Sequence, residues 1–295
     1  MSAPAIVARR VTKRFGTVTA VEQLDLTVAS GETVVLWGPN GAGKTTVLRC
    51  LLGIVPFEGA ITVAGHDVRT DGKAARRQLG YVPQEIRLHG EPTVREAARF
   101  YARLRRVPDD RADALLERWQ LREAGRRPVR GLSGGMKQKL ALVIALLADP
   151  PILLLDEPTS NLDVQARRDF STLLEQLKRD GKTLVCCLHQ LGDVWKLADR
   201  MVVLAQGRMV SDGPPADVAG TLPETTIVCV TVARERTQDA AMLLEQHGWS
   251  VQRNGMQLWV SVPTGRRVEP VTRLVAAGIR ILDIEWESAI WNGGS

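Results

Sequence analysis

Short runs of apolar residues, separated by segments with helical spacing, mark the first two thirds of the chain. Residues 32–37, 152–156 and 183–188 are almost wholly apolar, as expected for strands that are buried on both faces of a parallel sheet. Residues 164–179 form a charged amphipathic segment, and residues 93–148 show helical periodicity with many arginines and alanines. Strands that alternate with helices in this way predict an α/β fold with a mainly parallel sheet.

The pattern changes after about residue 222. Residues 225–232 have the alternation of a strand, residues 237–247 that of a helix, and residues 251–262 suit a hairpin that turns at Asn254-Gly255. A second helix and a last strand follow between residues 267 and 286. The order β-α-β-β-α-β predicts a small α+β domain of the split βαβ type at 223–295, behind a larger domain at 1–222.

The composition places the chain among folded globular proteins. Its 295 residues are 44% hydrophobic and 24% charged, which excludes the disordered and collagen-like classes. The formal net charge of +6 is dispersed, and the basic excess lies before residue 223. Scattered arginines over a long globular segment are typical of a solvated surface rather than a nucleic-acid stripe. A phosphate ligand or an anionic membrane surface would also suit this charge.

The length of the hydrophobic runs and the spacing of the cysteines indicate the cellular compartment in which the chain is expected. The longest apolar run, residues 140–148, is shorter than the roughly 18–20 residues that a membrane helix needs. The amino terminus lacks the basic and apolar regions of a secretory signal, and the four cysteines show no C-x-x-C spacing. We therefore expect a cytoplasmic chain with reduced cysteines that pack as small core residues.

The first candidate for chemistry is a glycine-rich loop between an apolar strand and a helix. Gly38-x-x-x-x-Gly43-Lys44-Thr45 is a Walker A phosphate loop, whose backbone N–H groups surround phosphates while the lysine adds a charge and the threonine hydroxyl ligates Mg²⁺. The following helix points the positive end of its dipole at the same phosphates. The residues predicted to hold the nucleotide here are Gly38, Pro39, Asn40, Gly41, Ala42, Gly43, Lys44, Thr45 and Thr46.

The second candidate is a pair of carboxylates directly after the apolar run 152–155. Asp156 and Glu157 stand at the carboxyl end of a predicted strand, the edge at which open α/β sheets bind ligands. Alone, such a pair is usually just the end of a strand. Next to a phosphate loop, Asp156 is suited to hold Mg²⁺ and Glu157 to orient or deprotonate an attacking water.

A third motif resembles one protein family. Residues 132–138, with Ser133, Gly134 and Gly135, are similar to the signature sequence of ABC-type ATPases; without the other motifs they would predict only a serine-capped helix. The resemblance, which covers roughly residues 5–215, implies a P-loop cassette with a parallel core sheet, an antiparallel β subdomain and a helical subdomain at about 93–148. It also implies ATP and Mg²⁺ as ligands.

Four further positions match this family in the same order along the chain. Phe15 resembles the aromatic residue that stacks on adenine, and Gln84 the Q-loop glutamine that links Mg²⁺ and water to the helical segment. Residues 160–163 resemble the D-loop, which ends at Asp163, and His189 the switch histidine that steadies the γ-phosphate. Each would be weak alone, since Phe15 would more often be a packing residue and Gln84 a loop amide.

The resemblance also implies how the chain works. In the family, the signature residues bind the γ-phosphate of a nucleotide held by the opposite subunit, so Ser133, Gly134 and Gly135 are expected to complete the site of a second copy in a homodimer. Trp37 departs from the smaller aliphatic residue that is common before the loop, but the catalytic motifs show no departure. We therefore expect a competent ATPase.

The chain is thus expected to energise a separately encoded transmembrane permease from the inner face of the cytoplasmic membrane. A single cassette with a carboxyl-terminal extension resembles export-type systems for drugs, polysaccharides or copper-enzyme maturation, the last including nitrous-oxide reductase. The alternative is an ABC ATPase that acts on ribosomes or DNA; the absence of a second cassette and of a long heptad run favours the transporter, and no nucleic-acid partner is expected.

Overall fold

The computed structural model describes residues 3–86, 91–160, 162–188, 196–221, 225–263 and 266–288. Its compact units are Met1–Val218 and Ala219–Ser295. The strands are β1 (Ile6–Phe15), β2 (Val18–Val28), β3 (Thr33–Trp37), β4 (Glu58–Val63), β5 (His66–Asp67), β6 (Leu79–Val82), β7 (Ile152–Asp156), β8 (Thr183–Leu188), β9 (Arg200–Ala205), β10 (Arg208–Gly213), β11 (Thr225–Val232), β12 (Ser250–Asn254), β13 (Gln257–Pro263) and β14 (Ile281–Ser288). The helices are α1 (Lys44–Leu51), α2 (Gly72–Arg77), α3 (Val94–Arg105), α4 (Asp109–Arg118), α5 (Gly134–Leu146), α6 (Val164–Arg179), α7 (Pro215–Thr221), α8 (Thr237–Gln246) and α9 (Glu269–Ala276).

The first unit contains a six-stranded sheet with the order β10-β9-β3-β8-β7-β6. Its pairs are parallel except for β10 against β9. Every residue of β3, β7 and β8 is buried, which explains why these strands read as continuous apolar runs. The prediction of an α/β fold with a mainly parallel sheet is confirmed.

A second sheet of the first unit is antiparallel and has the order β2-β1-β4-β5. One buried cluster joins the two sheets: it includes Ile6 and Val28 from the antiparallel sheet, Leu36 and Leu154 from the parallel sheet, and Leu48 of α1. Because α1 packs against both sheets, the loop that precedes it is held at the carboxyl end of β3.

Helices α3, α4 and α5 pack against one another in the segment between β6 and β7. Helix α3 begins with a capping box, in which the Thr93 hydroxyl accepts from the Glu96 backbone N–H and the Glu96 carboxylate accepts from the Thr93 N–H. This reciprocal arrangement satisfies two of the unpaired N–H groups at the helix start. The predicted helical segment therefore contains a helical subdomain beside the parallel sheet.

The second unit is a four-stranded antiparallel sheet with the order β12-β13-β11-β14 and the element order β-α-β-β-α-β. Its own buried cluster joins the sheet to both helices through Val228, Val260, Leu244 of α8 and Leu274 of α9. The predicted domain boundary, between residues 222 and 223, lies outside the described residues, so the division at that position stays a prediction. Among the described residues, no helix combines the length and the apolar character that crossing a membrane would require.

Candidate functional site

The glycine-rich loop lies between the end of β3 at Trp37 and the start of α1 at Lys44. Gly43 has a φ of 101°, and a Cβ atom at this position would lie 2.3 Å from the carbonyl oxygen of Ala20. A Cβ atom at Gly38 would lie 2.2 Å from the carbonyl oxygen of Leu204. The loop is thus pressed against neighbouring backbone at both ends, which only glycine permits.

Lys44 is the first residue of α1 and its side chain folds back over the loop. The ammonium Nζ donates to the carbonyl oxygens of Gly38 at 2.6 Å and Pro39 at 2.9 Å, and it lies 3.7 Å from Oε1 of Glu157. Burial lowers the pKa of Lys44, and the nearby carboxylate of Glu157 partly opposes this effect. These contacts hold a buried positive charge beside the loop backbone.

Asp156, the last residue of β7, is held through both carboxylate oxygens. The Thr45 hydroxyl donates to Oδ1 at 2.9 Å and the Tyr81 hydroxyl donates to Oδ2 at 3.3 Å. Burial raises the pKa of Asp156, because the charged form loses hydration, while the hydrogen bonds from Thr45 and Tyr81 oppose the rise. The carboxylate is therefore fixed next to the first turn of α1.

Glu157 follows directly and has an unusual backbone conformation, with a φ of 47°. Its backbone N–H donates to the carbonyl oxygen of Cys187 at 3.0 Å, and its own carbonyl oxygen accepts from the Ser160 hydroxyl at 2.9 Å. The Gln84 amide Nε2 donates to Oε2 of Glu157 at 3.4 Å. This strained backbone, held on both sides, turns the Glu157 side chain toward Lys44 and Gln84.

Lys44, Thr45, Gln84 and Glu157 line a cavity of about 740 Å³, and Asp156 lies behind its wall, bonded to Thr45. Its lining residues are Ala20, Asn40, Gly41, Ala42, Gly43, Lys44, Thr45, Thr46, Gln84, Glu157, Ser160 and Arg167. The volume is within the range of pockets that hold small ligands and cofactors, about 300–1,000 Å³. The amino-terminal end of α1 opens into it, so its free backbone N–H groups and dipole favour an anion there.

The donor set beside this cavity fits Mg²⁺. Thr45, Asp156 and Gln84 offer a hydroxyl, a carboxylate and an amide oxygen, and Mg²⁺ is usually bound by one or two carboxylates together with substrate phosphates and water. Within the described ranges there is no cluster of three or more His, Cys, Asp or Glu side chains that could hold a metal. A Mg²⁺ ion bound here would take its remaining ligands from phosphate oxygens and water.

The predicted signature residues lie elsewhere in the first unit and do not line the cavity. Ser133 caps α5, because its hydroxyl accepts from the Met136 backbone N–H at 3.3 Å. Asp163 caps α6 in the same way, accepting from Ala166 N–H at 2.8 Å. A Cβ atom at Gly135 would lie 3.0 Å from Cβ of Ala166, so the starts of α5 and α6 are in contact.

Phe15 and His189 are two more of the predicted residues. Phe15 ends β1 with 45% of its surface exposed, and the Lys13 ammonium lies 4.5 Å from its ring centre. It is absent from the residues that line the cavity. His189 lies outside the described residues.

The structure also gives contacts to residues for which the sequence analysis predicted no role. Tyr81 bonds Asp156, Arg167 lines the cavity, and Gln138 of α5 donates from Nε2 to the carbonyl oxygen of Pro83 at 3.4 Å. A sequence signal existed for Arg167, which stands four residues after the helix cap Asp163 and therefore on the same side of α6. No comparable signal identifies Tyr81, because its contact depends on the pairing of β6 with β7.

Comparisons with known proteins identify the family. The family described as "ABC transporter" matches residues 21–160. The chain is 37% identical over 290 residues to a Nod factor export ATP-binding protein I of Rhizobium sp. (strain N33), covering 96% of this chain and 94% of that protein. It is 34% identical over 282 residues to a daunorubicin resistance ATP-binding protein of Streptomyces coeruleorubidus, covering 94% and 89% of the two chains.

Solved structures give the same result. A structure of an ATP-binding subunit of an ABC transporter is 27% identical with a TM-score of 0.66, covering 74% of this chain and 92% of that one. A bacterial Atm1-family ABC exporter with ATP bound is also 27% identical, with a TM-score of 0.66, and the match covers 74% of this chain and 40% of the exporter chain. None of these relatives and structures is named for copper-enzyme maturation, and that subtype receives no support.

Proposed function

The chain belongs to the ATP-binding subunits of ABC transporters, and on that premise we propose that its cavity binds ATP with Mg²⁺ and that Glu157 activates the water that attacks the γ-phosphate. Proteins of this family hydrolyse ATP to drive transport through a transmembrane partner. The observation that carries the proposal is the convergence of Lys44, Asp156 and Glu157, from two distant segments, at one glycine loop.

The loop and α1 would hold the phosphates. Backbone N–H groups within residues 40–46 would face the anion, and Lys44 would place its ammonium beside it. Because Lys44 is 5% exposed, its charge acts where little water can screen it, and a phosphate would take over from the carbonyl and carboxylate oxygens that bond it now.

Thr45, Asp156 and Gln84 would hold the metal ion, directly or through water. When bound, Mg²⁺ neutralises charge on the phosphate oxygens during phosphoryl transfer. The Thr45 hydroxyl that bonds Asp156 is already placed between the carboxylate and the start of α1. Asp156 therefore needs little movement to serve the site, and Tyr81 keeps its second oxygen in place.

Glu157 would accept a proton from the attacking water, or orient that water, at the end of the phosphate row. The Gln84 amide, 3.4 Å from Oε2, holds this carboxylate and connects the site to the helical segment. We also assign a water- and phosphate-steadying role to His189, on the resemblance of its position to the family motif alone.

A second copy of the chain would complete each site. The residues Ser133, Gly134 and Gly135 do not line the cavity of their own chain, which supports a role at the nucleotide of a partner subunit. In such a homodimer Asp163, at the start of α6, would lie near the interface. The exposed Phe15 ring would stack on the adenine of its own nucleotide.

We further propose that the chain acts at the inner face of the cytoplasmic membrane, with an export-type permease. The relatives named for Nod factor export and daunorubicin resistance support this direction. The alternative of an ATPase acting on ribosomes or DNA is not favoured, because these relatives are named for export and resistance. The second unit would contribute to partner choice or regulation, since the nucleotide cavity is built from residues of the first unit alone.

Calorimetric titration of the full chain with ATP and Mg²⁺ tests the proposal. Lys44→Ala should weaken ATP binding by at least about tenfold, because a charge-assisted contact to phosphate is lost. Lys73→Ala is the matched control, since Lys73 is exposed on α2 and does not line the cavity. Equal ATP affinity in wild type and Lys44→Ala would contradict the proposed site.

A further inference from the structure

Arg167 is a cationic lining residue of the cavity to which the proposed mechanism gives no role. It lies in the first turn of α6, one residue after Ala166, whose Cβ would meet a Cβ built at Gly135. Its side chain is partly buried. The guanidinium is thus brought to the cavity by the same helix start that touches the signature segment.

The charges of the residues that line the cavity do not cancel. Its charged lining residues are Lys44, Glu157 and Arg167, and the Lys44 ammonium lies 3.7 Å from the Glu157 carboxylate. Arg167 makes no ion pair with any residue in the part of the chain that the structure describes. The cavity therefore carries one positive charge that no carboxylate of its lining balances, which suits an anionic ligand.

The geometry of the guanidinium also leaves donors available. Nε of Arg167 donates to the carbonyl oxygen of Leu162 at 2.9 Å, which fixes the plane of the group. A guanidinium has five N–H donors, and the bond to Leu162 uses one of them. The four N–H donors of the two terminal NH₂ groups can therefore bind a ligand. Such a planar fork with a fixed orientation is the arrangement that binds phosphate oxygens in pairs.

The place of Arg167 in the cavity indicates which part of the nucleotide it meets. Ser160 and Arg167 are the lining residues from the segment that follows Glu157, and the Ser160 hydroxyl is bonded to the Glu157 carbonyl. This part of the lining is thus connected through Ser160 to Glu157, the residue proposed to act on the attacking water. We infer that Arg167 binds the terminal phosphate of the ATP held by its own chain.

This contact would give the terminal phosphate a route to the start of α5. Ala166 is adjacent to Arg167 and packs at Gly135, while Asp163 caps the same turn. A phosphate that draws Arg167 inward would pull on a helix start that is in contact with the signature residues. Loss of that phosphate would release the same contact.

The inference rests on the proposed nucleotide site, so the test compares two nucleotides. Affinities for ADP and for a non-hydrolysable ATP analogue with an imido β–γ bridge are measured with Mg²⁺ on the full chain. Arg167→Gln should weaken the analogue about tenfold and ADP less than about threefold, because only the analogue carries the terminal phosphate. Arg168→Gln removes the same charge at an exposed position outside the cavity and should leave both affinities unchanged.

Arg167→Lys tests whether the positive charge alone is enough without the guanidinium that bonds Leu162. It also provides the test if Arg167→Gln does not fold. It keeps the positive charge but not the planar fork, so the analogue should weaken by less than in Arg167→Gln, with ADP unchanged. The inference would be overturned if both Arg167 variants lost the same factor of affinity for ADP and for the analogue. It would also be overturned if neither variant lost affinity for either nucleotide. If wild-type protein binds neither nucleotide, the proposed function itself fails.

Discussion

The hydroxyl of Thr45 donates a hydrogen bond of 2.9 Å to Oδ1 of Asp156, although the two residues are 111 positions apart in the chain. Thr45 belongs to the first turn of α1 and Asp156 ends β7. The pairing of β3 and β7 with β8 between them brings both segments to the same sheet edge. The buried carboxylate of Asp156 thus lies next to the phosphate loop.

Asp156→Asn should remove the effect of Mg²⁺ on ATP binding while leaving the protein folded. Asparagine keeps the size of the side chain but removes the carboxylate, whose ionised form is destabilised by burial in this site. We expect the thermal midpoint without nucleotide to be unchanged or higher than that of wild type. The added stabilisation by ATP on addition of Mg²⁺, measured by differential scanning fluorimetry, should disappear; a wild-type response to Mg²⁺ would contradict the assignment of Asp156.

Glu157→Gln should retain ATP and stop turnover. The amide fills the same space but cannot accept the proton of the attacking water, so hydrolysis should fall by about 10²–10⁴-fold. Size-exclusion chromatography with ATP should then show a dimer, because the group that both chains contact is not removed. Glu175→Gln, at an exposed position of α6, is the control. A monomer that hydrolyses at the wild-type rate would refute the role of Glu157.

Tyr81→Phe should weaken Mg²⁺ binding at the nucleotide site without unfolding the protein. The lost hydroxyl donates to Oδ2 of Asp156 at 3.3 Å, a long bond to a charged group, for which about 1.4 kcal/mol, or roughly tenfold in Mg²⁺ affinity, is a reasonable expectation. Replacing bound Mg²⁺ by Mn²⁺ allows the affinity to be followed by electron paramagnetic resonance. Tyr101→Phe, in α3, should be silent.

Gly43→Ala and Gly41→Ala should differ sharply although both glycines have positive φ, 101° and 82°. A Cβ atom at Gly43 would lie 2.3 Å from the Ala20 carbonyl oxygen, whereas one at Gly41 meets nothing within 4 Å. Gly41→Ala should cost about 1–2 kcal/mol of unfolding free energy from backbone strain alone. Gly43→Ala should lower the free energy of unfolding by more than Gly41→Ala does, and it should abolish ATP binding. Urea unfolding curves that are similar for the two variants would contradict this difference between the glycines.

The buried strands and the phosphate loop were predictable from the sequence because their signals are local. A run of apolar residues such as 34–37 is typical of a strand covered on both faces, and the spacing from Gly38 to Thr45 carries its own chemistry. The same holds for Asp156 and Glu157, which follow an apolar strand at the ligand-binding edge. Their relation to Thr45 was predicted through the family resemblance and the general rule for open sheets.

Contacts that depend on the packing of distant elements were not predictable in this way. The hydrogen bond of Tyr81 to Asp156 requires β6 to lie beside β7, and the contact of Gln138 with Pro83 requires α5 to lie against β6. The spacing of Arg167 from Asp163 predicts the side of α6 on which it stands, but only the packing of α6 places that side at the cavity. The role of Phe15 at the nucleotide stays a prediction; its ring is exposed beside Lys13.

A chain that ends at residue 222 should fold and bind ATP within about threefold of the full chain, since each unit has its own buried core. The buried clusters of the two units share no residue, and the cavity is lined only by residues of the first unit. Truncation should instead alter co-purification with a co-expressed permease, or the stimulation of ATP hydrolysis by it. Calorimetry of ATP binding and circular dichroism of the truncated chain provide the check. A truncated chain that is folded by circular dichroism but no longer binds ATP would show that residues 223–295 support the nucleotide site directly, against a division of the chain at residue 222.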